Sequence, residues 1–383
     1  MLFAQSGIGL GLLGMSFCDS RPALGWLVAL AVVVAFFSAT QDIALDAFRI
    51  ESTDESLQGA TAATYQLGYR IAVLVASAGV LYIAEFASWP IGYATMALLA
   101  LVGIATTLMV SEAEVRGATS DREHEVAEFV GRYSELPLSA RNTLGWIYGA
   151  VVCPFVDFFA RFRGLALAFL AFIGLFYLSD TAMGVMANPF YESLGFTKGQ
   201  IASISKVYGF AMTILGILLG GVLVFRAGAV RLLAPSVFLM AASNLAFSWL
   251  AVVGRPDPLL LTIAISIDNF VAGAAGTVFI AFLSGLTNTA YTATQYALFS
   301  SIMTLPGRLL GGFSGLIVIH LQASGRDVPA VAIVLDAVLA APQFEGYALF
   351  FAYSALLGLP ALVFAMVVRR SFGSGITEAR AVA

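Results

Sequence analysis

Residues 36–52 read FFSATQDIALDAFRIES, the end of an apolar run that begins near Leu24. No Gly or Pro announces a loop, yet Gln41, Asp42, Asp46 and Arg49 follow directly on valines and phenylalanines. Charge inside an apolar helix is costly in lipid, so it faces a cavity or a partner. The spacing of Asp42 and Asp46 puts the two carboxylates on one helix face. The stretch reads as the end of a pathway-lining membrane helix whose carboxylates pair with arginines to set a gate.

The rest of the chain agrees with that reading. Its 383 residues are 60% hydrophobic and only 11% charged, with a mean hydropathy of +0.92. Apolar runs of about twenty residues match the thickness of a bilayer core. A backbone crosses lipid only as helix or closed barrel, and the absence of strict alternation selects helices. About ten spans are predicted: 2–18, 23–48, 58–86, 89–111, 164–191, 199–225, 230–253, 258–284, 291–321 and 345–368. The charged stretch 112–142, with DREHEVAEF at its centre, separates the first four from the last six and reads as a solvated linker, followed by an interfacial piece, CPFVDFFARFRG.

Several function classes drop out. Cys18 and Cys153 are far apart, and His124 and His320 stand alone, so neither a disulfide framework nor a metal site is expected. No HExxH, GxSxG, Walker loop or CxxC occurs, which argues against an enzyme and against a bound cofactor. The net charge of −4 comes without a basic tract for nucleic acid. The N-terminal MLFAQSGIGLGLLGMSF lacks the basic start of a signal peptide and reads as a membrane helix.

Lys and Arg in the connections orient the chain. Arg49, Arg116, Arg122, Arg132, Arg141, Arg161, Arg163, Arg226, Arg231, Arg369, Arg370 and Arg380 fall on the side of 112–142, against Arg21, Lys198, Arg255 and Arg326 on the other. The linker and both ends of the chain are therefore expected in the cytoplasm.

An internal repeat organises the spans. YQLGYRIAVLVASAG (65–79) and MTLPGRLLGGFSG (303–315) each carry a lone Arg, Arg70 or Arg308, two residues after Gly68 or Pro306 and ahead of a helix rich in Gly and Ser. The preceding spans carry Asp42 and Asp46 in one case and Asp268 in the other. A duplicated parallel half is the architecture of the major facilitator transporters. The fold class expected is thus an all-α, polytopic, facilitator-like bundle: a half-bundle over 1–111, a linker over 112–163, a six-helix half over 164–370 and a tail over 371–383. The repeat falls on the second and third of four spans in the first half and on the fourth and fifth of six in the second. This predicts a chain that begins at the third helix of a twelve-helix plan.

Residues 220–231, GGVLVFRAGAVR, are similar to the superfamily's loop motif G-x-x-x-D-R-x-G-R, with Phe225 where the acid usually stands. Gly221, Arg226, Gly228 and Arg231 are accordingly read as a gating loop, the glycines for close helix approach and the arginines for pairing. At about 1.5 Å per residue, Arg70 lies roughly 18 Å and Asp268 roughly 15 Å into their helices. Asp180 sits deep in YLSDTAMGVMANPFY, and Lys206 is close enough to a helix end to snorkel. Tyr65, Tyr69, Tyr177, Tyr208 and Tyr296 lie near these charges and offer faces that stack on sugar rings or pack in the bundle.

FFSATQDIALDAFRIE and QGATAATYQLGYR resemble the AmpG family of muropeptide permeases, as do LSDTAMGVMANPFYESLGF, QIASISKVYGF and GTVFIAFLSGLTNTAYTATQYALFSSIMTLPGR. The resemblance runs from about residue 24 to 370. It implies proton-driven import of anhydro-muropeptides, cell-wall turnover fragments, by a monomeric inner-membrane protein. The positions matching the family's polar motif are Gln41, Asp42, Asp46, Tyr69, Arg70, Asp180, Lys206, Gln295 and Arg308. A symporter needs a carboxylate that holds a proton near neutral pH, and withdrawal from water favours the neutral form; Asp180 and Asp268 are the candidates. The same cations suit another bulky anion, such as an acyl-CoA or nucleotide derivative, and an inactive truncated facilitator is the third reading.

Overall fold

The computed structural model describes residues 1–18, 24–54, 57–110, 126–132, 137–288 and 290–373. Arg21, Arg116, Arg122, His124, most of the charged stretch and the tail beyond 373 lie outside the described residues. The described residues are helical, without a strand.

The chain divides into two units. The first comprises Met1–Glu55, Thr64–Pro154 and Thr287–Ala297; the second comprises Ser56–Ala63, Phe155–Leu286 and Leu298–Ala383. Helices α1 (Leu2–Ser16), α2 (Leu24–Glu51), α3 (Gln58–Leu74), α4 (Val80–Phe86) and α5 (Trp89–Met109) come before the linker. Within the first unit α1 packs on α2 and α5. Gly7 admits the Phe37 ring and Gly11 admits Val34, so small residues set the approach of α1 and α2. The expected span 58–86 is a helix interrupted by a π-helical turn at Val75–Gly79. Ser88 caps α5 by accepting from the Ile91 N–H at 3.4 Å.

After the linker come α6 (Leu138–Ile147), α7 (Cys153–Phe162), α8 (Ala166–Phe176), α9 (Leu178–Leu194), α10 (Gly209–Ala227), α11 (Ala229–Val253) and α12 (Pro258–Leu286). They are followed by α13 (Thr292–Gly311), α14 (Ser314–Ser324), α15 (Pro329–Val338), α16 (Glu345–Leu356) and α17 (Gly358–Gly373). Among the described residues seven helical segments are long and apolar enough to span, and α13 with α14 makes an eighth, bent by 44°. Two expected spans fall outside that set: α1, with 15 residues, and the interrupted 58–86.

The second unit is built round α12. Gly216 and Gly220 of α10 and Gly273 of α12 bring the two backbones into contact; a Cβ on Gly216 would sit 2.0 Å from the Phe270 carbonyl oxygen, and one on Gly273 would sit 2.3 Å from that of Thr213. An aromatic core of Phe190, Tyr191, Phe247, Phe350 and Phe351 joins α9, α11 and α16. Arg161 bonds Asp157 at 3.0 Å and reaches the carbonyl of Leu286, capping the C-terminus of α12 with a cation.

The apolar stretch VPAVAIVLDAVLAAP contains the ten-residue helix α15. Arg326 ties it down, bonding Asp336 and the buried Glu345 at 2.7 Å each. The two carboxylates hold the Arg326 guanidinium above its ordinary range.

Gly228 joins α10 to α11 at φ +79°, ψ +146°, a region that a side chain enters only at a cost of about 1–3 kcal/mol. Gly228→Ala is expected to lower stability by that amount, which thermal unfolding in detergent will show; an unshifted midpoint contradicts the conformational argument.

Candidate functional site

In the first unit the charged end of α2 is where the helix leaves its exposed course and packs. Asp46 and Arg49 are buried, at 7% and 5% exposure, whereas Asp42 is exposed and Gln41 half-buried. The two carboxylates lie one turn apart, yet packing closes over the helix only from Asp46 to Ile50. Asp46 Oδ1 lies 3.7 Å from Arg49 Nε, an ion pair inside one helix. Tyr65 and Tyr296 both lie in the field of this pair, each with Asp46 and Arg49 as electrostatic neighbours. The Arg49 guanidinium also lies against two rings, 5.2 Å from the centroid of Tyr65 on α3 and 5.4 Å from that of Tyr296 on α13. A guanidinium withdrawn from water between aromatic faces gains from each quadrupole, so one arginine fastens three helices. Tyr65 and Tyr296 are thereby engaged with Arg49.

Tyr69 and Arg70 follow on α3. Tyr69 is 59% exposed, and Arg70 is half-buried with its Nε lacking a hydrogen-bond partner. Gln295, 1% exposed, uses both ends of its amide locally: Oε1 accepts from the Asn288 N–H at 2.8 Å and Nε2 donates to the Pro154 carbonyl at 3.0 Å.

In the second unit Asp268 on α12 accepts from Ser243 of α11 at 3.4 Å and has Asp180 of α9 as an electrostatic neighbour. Beside them lies a polar network invisible in the sequence pattern. Asn244, fully buried, donates to the carbonyl and hydroxyl of Ser179, and Ser179 Oγ donates to the Ser354 carbonyl at 2.7 Å. These bonds tie α9, α11 and α16 together behind Asp180, while Asn244 Oδ1 is buried without a hydrogen-bond partner, so the network is only partly satisfied. Gly307 packs on Thr181, so α13, which runs unbroken through Pro306 and Gly307 and bends only after Gly311, lies there against the turn that carries Asp180; Arg308, the next residue, is exposed.

Lys206 is exposed on a π-helical stretch, Ile201–Tyr208, and its Nζ lies 3.5 Å from Asn188 Oδ1. Such turns swell a helix and often mark functional sites. Tyr208 shares a hydrogen bond with Ser266 at 2.9 Å, and Tyr177 packs on Phe176 and Phe279. In the loop motif, Gly221 meets Ala63 of α3, and Gly59 meets Val224, so the glycine does permit close approach. Arg226 and Arg231 are exposed, and among the described residues neither makes an ion pair. Among the described residues no cluster of three metal-ligating side chains occurs, and Cys18 and Cys153 are not joined in a disulfide.

Comparison with known proteins agrees with this architecture. The Major Facilitator Superfamily model matches residues 1–312. The protein named AmpG 4 of Rickettsia felis is 33% identical over 340 residues, covering 88% of this chain and 77% of that protein. The Escherichia coli K12 protein named anhydromuropeptide permease is 28% identical over 373 residues, 97% of this chain and 66% of that one. Among solved structures, the proton:xylose symporter XylE superposes with a TM-score of 0.64 at 12% identity, over 95% of this chain and 78% of XylE. The chain therefore belongs to the AmpG-type transporters of the major facilitator superfamily, multi-pass membrane proteins that move small molecules rather than transform them.

Proposed function

We propose that this protein is a proton-coupled importer of anhydro-muropeptides, working by alternating access as a monomer in a bacterial inner membrane, with both ends of the chain in the cytoplasm. The observation that carries the substrate class is the similarity, over 97% of the chain, to a protein named for anhydromuropeptide transport. The chemistry of the bundle supports it. A muropeptide carries carboxylates, for which Arg70, Lys206 and Arg308 supply cations, and sugar rings, for which the exposed Tyr69 supplies a face.

Asp180 and Asp268 are the proton carriers in this account. Both are carboxylates on helices of the second unit, the residue type that marks proton relays inside membrane segments. The Asp46–Arg49–Tyr65–Tyr296 cluster is the gate at the cytoplasmic end, a charge set whose burial at a helix end serves a moving part.

Asp180→Asn and Asp268→Asn are expected to abolish accumulation driven by a pH gradient while preserving exchange of labelled for unlabelled muropeptide. Gradient-driven accumulation that survives in both variants removes the pair from coupling. Asp42→Asn is expected to slow uptake severalfold with the melting temperature unchanged, because Asp42 is exposed and unneeded for packing. Wild-type uptake by the well-expressed variant contradicts a pathway role. Inhibition of uptake by excess acyl-CoA, but not by excess muropeptide, would move the reading to another bulky anion.

A further inference from the structure

The start of α13 carries three consecutive side chains that do different work. Thr294 Oγ1 donates to the Ala150 carbonyl at 2.9 Å, Gln295 Nε2 donates to the Pro154 carbonyl at 3.0 Å, and Tyr296 lies over Arg49. The first two therefore bind the segment that leads into α7, and the third closes the gate.

The receiving carbonyls follow from one residue. In an α-helix the Ala150 carbonyl is bonded by the N–H four residues on. That residue is Pro154, which has none. The chain responds with a π-helical turn over Tyr148–Val152, in which the Cys153 N–H reaches back to Tyr148. Ala150 is left with an acceptor that Thr294 occupies, and the Pro154 carbonyl offers a lone pair to Gln295. Gln295 is 1% exposed and spends its other amide end on Asn288. Its position is thus determined on both sides.

We infer that Thr294 and Gln295 are positioning residues that couple the π-helical turn ahead of Pro154 to the Arg49 gate, so that the turn and the gate open together. The inference rests on the gate reading of the Asp46–Arg49 cluster. It assigns to Gln295 a mechanical role upstream of substrate. Displacing that turn withdraws the two carbonyls, frees the first turn of α13 and lifts the Tyr296 ring from Arg49.

Cys153 reports this directly, because it adjoins Pro154 and is 2% exposed. In a Cys18→Ser background it is the sole thiol, since the chain has two cysteines. The experiment follows N-ethylmaleimide labelling of Cys153 in the full-length protein in membranes. Thr294→Val and Gln295→Leu are each expected to raise the labelling rate about five- to tenfold, the weight of one hydrogen bond. The decisive variant is remote: Asp46→Asn with Arg49→Gln, which removes the ion pair without leaving a lone buried charge. It is expected to raise Cys153 labelling severalfold while the protein melts cooperatively and close to the parent. A purely local role for Thr294 and Gln295 leaves labelling in that variant at the parental rate, and this result overturns the coupling.

Pro154→Ala supplies a second arm, because it returns an N–H to Ala150. Thr294→Val added to it is expected to change labelling less than in the parent; full additivity contradicts the orphan-carbonyl argument. Neither arm uses substrate. Failed muropeptide uptake therefore leaves this test intact, and unchanged labelling leaves the transport reading intact.

Discussion

Gly216→Ala is expected to cost more stability than any other single methyl group placed in α10. The added Cβ would lie 2.0 Å from the Phe270 carbonyl oxygen and 2.9 Å from its carbon. Both are backbone atoms, so no side-chain rotation relieves the overlap and α10 and α12 must separate. Overpacking of this kind costs about 1–3 kcal/mol where a core can adjust, and more where it cannot. Separation also loosens Gly220 against Ala274 and Gly273 against Thr213 on the same seam. The comparison is Gly184→Ala on α9, where a Cβ meets nothing within 4 Å. There alanine is expected to add about 0.5–1 kcal/mol through helix propensity alone. Thermal unfolding in detergent should show the first variant destabilised or absent and the second unchanged or improved. Equal midpoints for both would mean that small residues do not set the α10–α12 approach.

The second large effect concerns Arg49. Arg49→Ala leaves the Asp46 carboxylate buried without its cation and removes the filler between two tyrosine rings. Breaking a buried pair on one side costs about 3–5 kcal/mol. Asp46→Asn combined with Arg49→Gln removes both charges at similar volume and is expected to recover most of that loss, because the penalty belongs to the uncompensated charge. Melting of the single and double variants separates the two contributions. A single variant as stable as the parent would show that Asp46 and Arg49 are not a coupled pair. If the pair is the gate, the double variant folds but moves substrate with altered turnover.

Much of this was readable in the residues, for physical reasons that differ between elements. The membrane helices announce themselves by apolar length, and the end of α2 by charge where apolar length should continue. Spacing alone could not tell Asp42 from Asp46: both share a face, and only the packing from Asp46 onward buries one and leaves the other exposed. Tyr65 and Tyr296 read only as faces for sugar rings or for bundle packing, because nothing local shows that Arg49 lies against both; Arg49 and Tyr296 are more than two hundred positions apart. The Ser179–Asn244–Ser354 network escaped notice for a similar reason, since single small polar residues in apolar helices leave no periodic trace. Gln295 stood out as a motif residue, and the structure adds its two backbone partners. The π-helical stretch at Ile201–Tyr208, which carries Lys206, has no signal in a pattern read at 3.6 residues per turn. Pro154 could have indicated the π-helical turn before α7, because proline in a helix leaves the carbonyl four residues back without its usual N–H.

The measurement that bears most directly on the central claim is uptake of labelled anhydro-muropeptide into proteoliposomes containing this chain, with and without an imposed pH gradient. The account predicts accumulation that needs the gradient, is lost in Asp180→Asn and Asp268→Asn, and is unaffected by competing xylose. Folded protein that takes up no muropeptide under either condition, or accumulates it equally without a gradient, would contradict it.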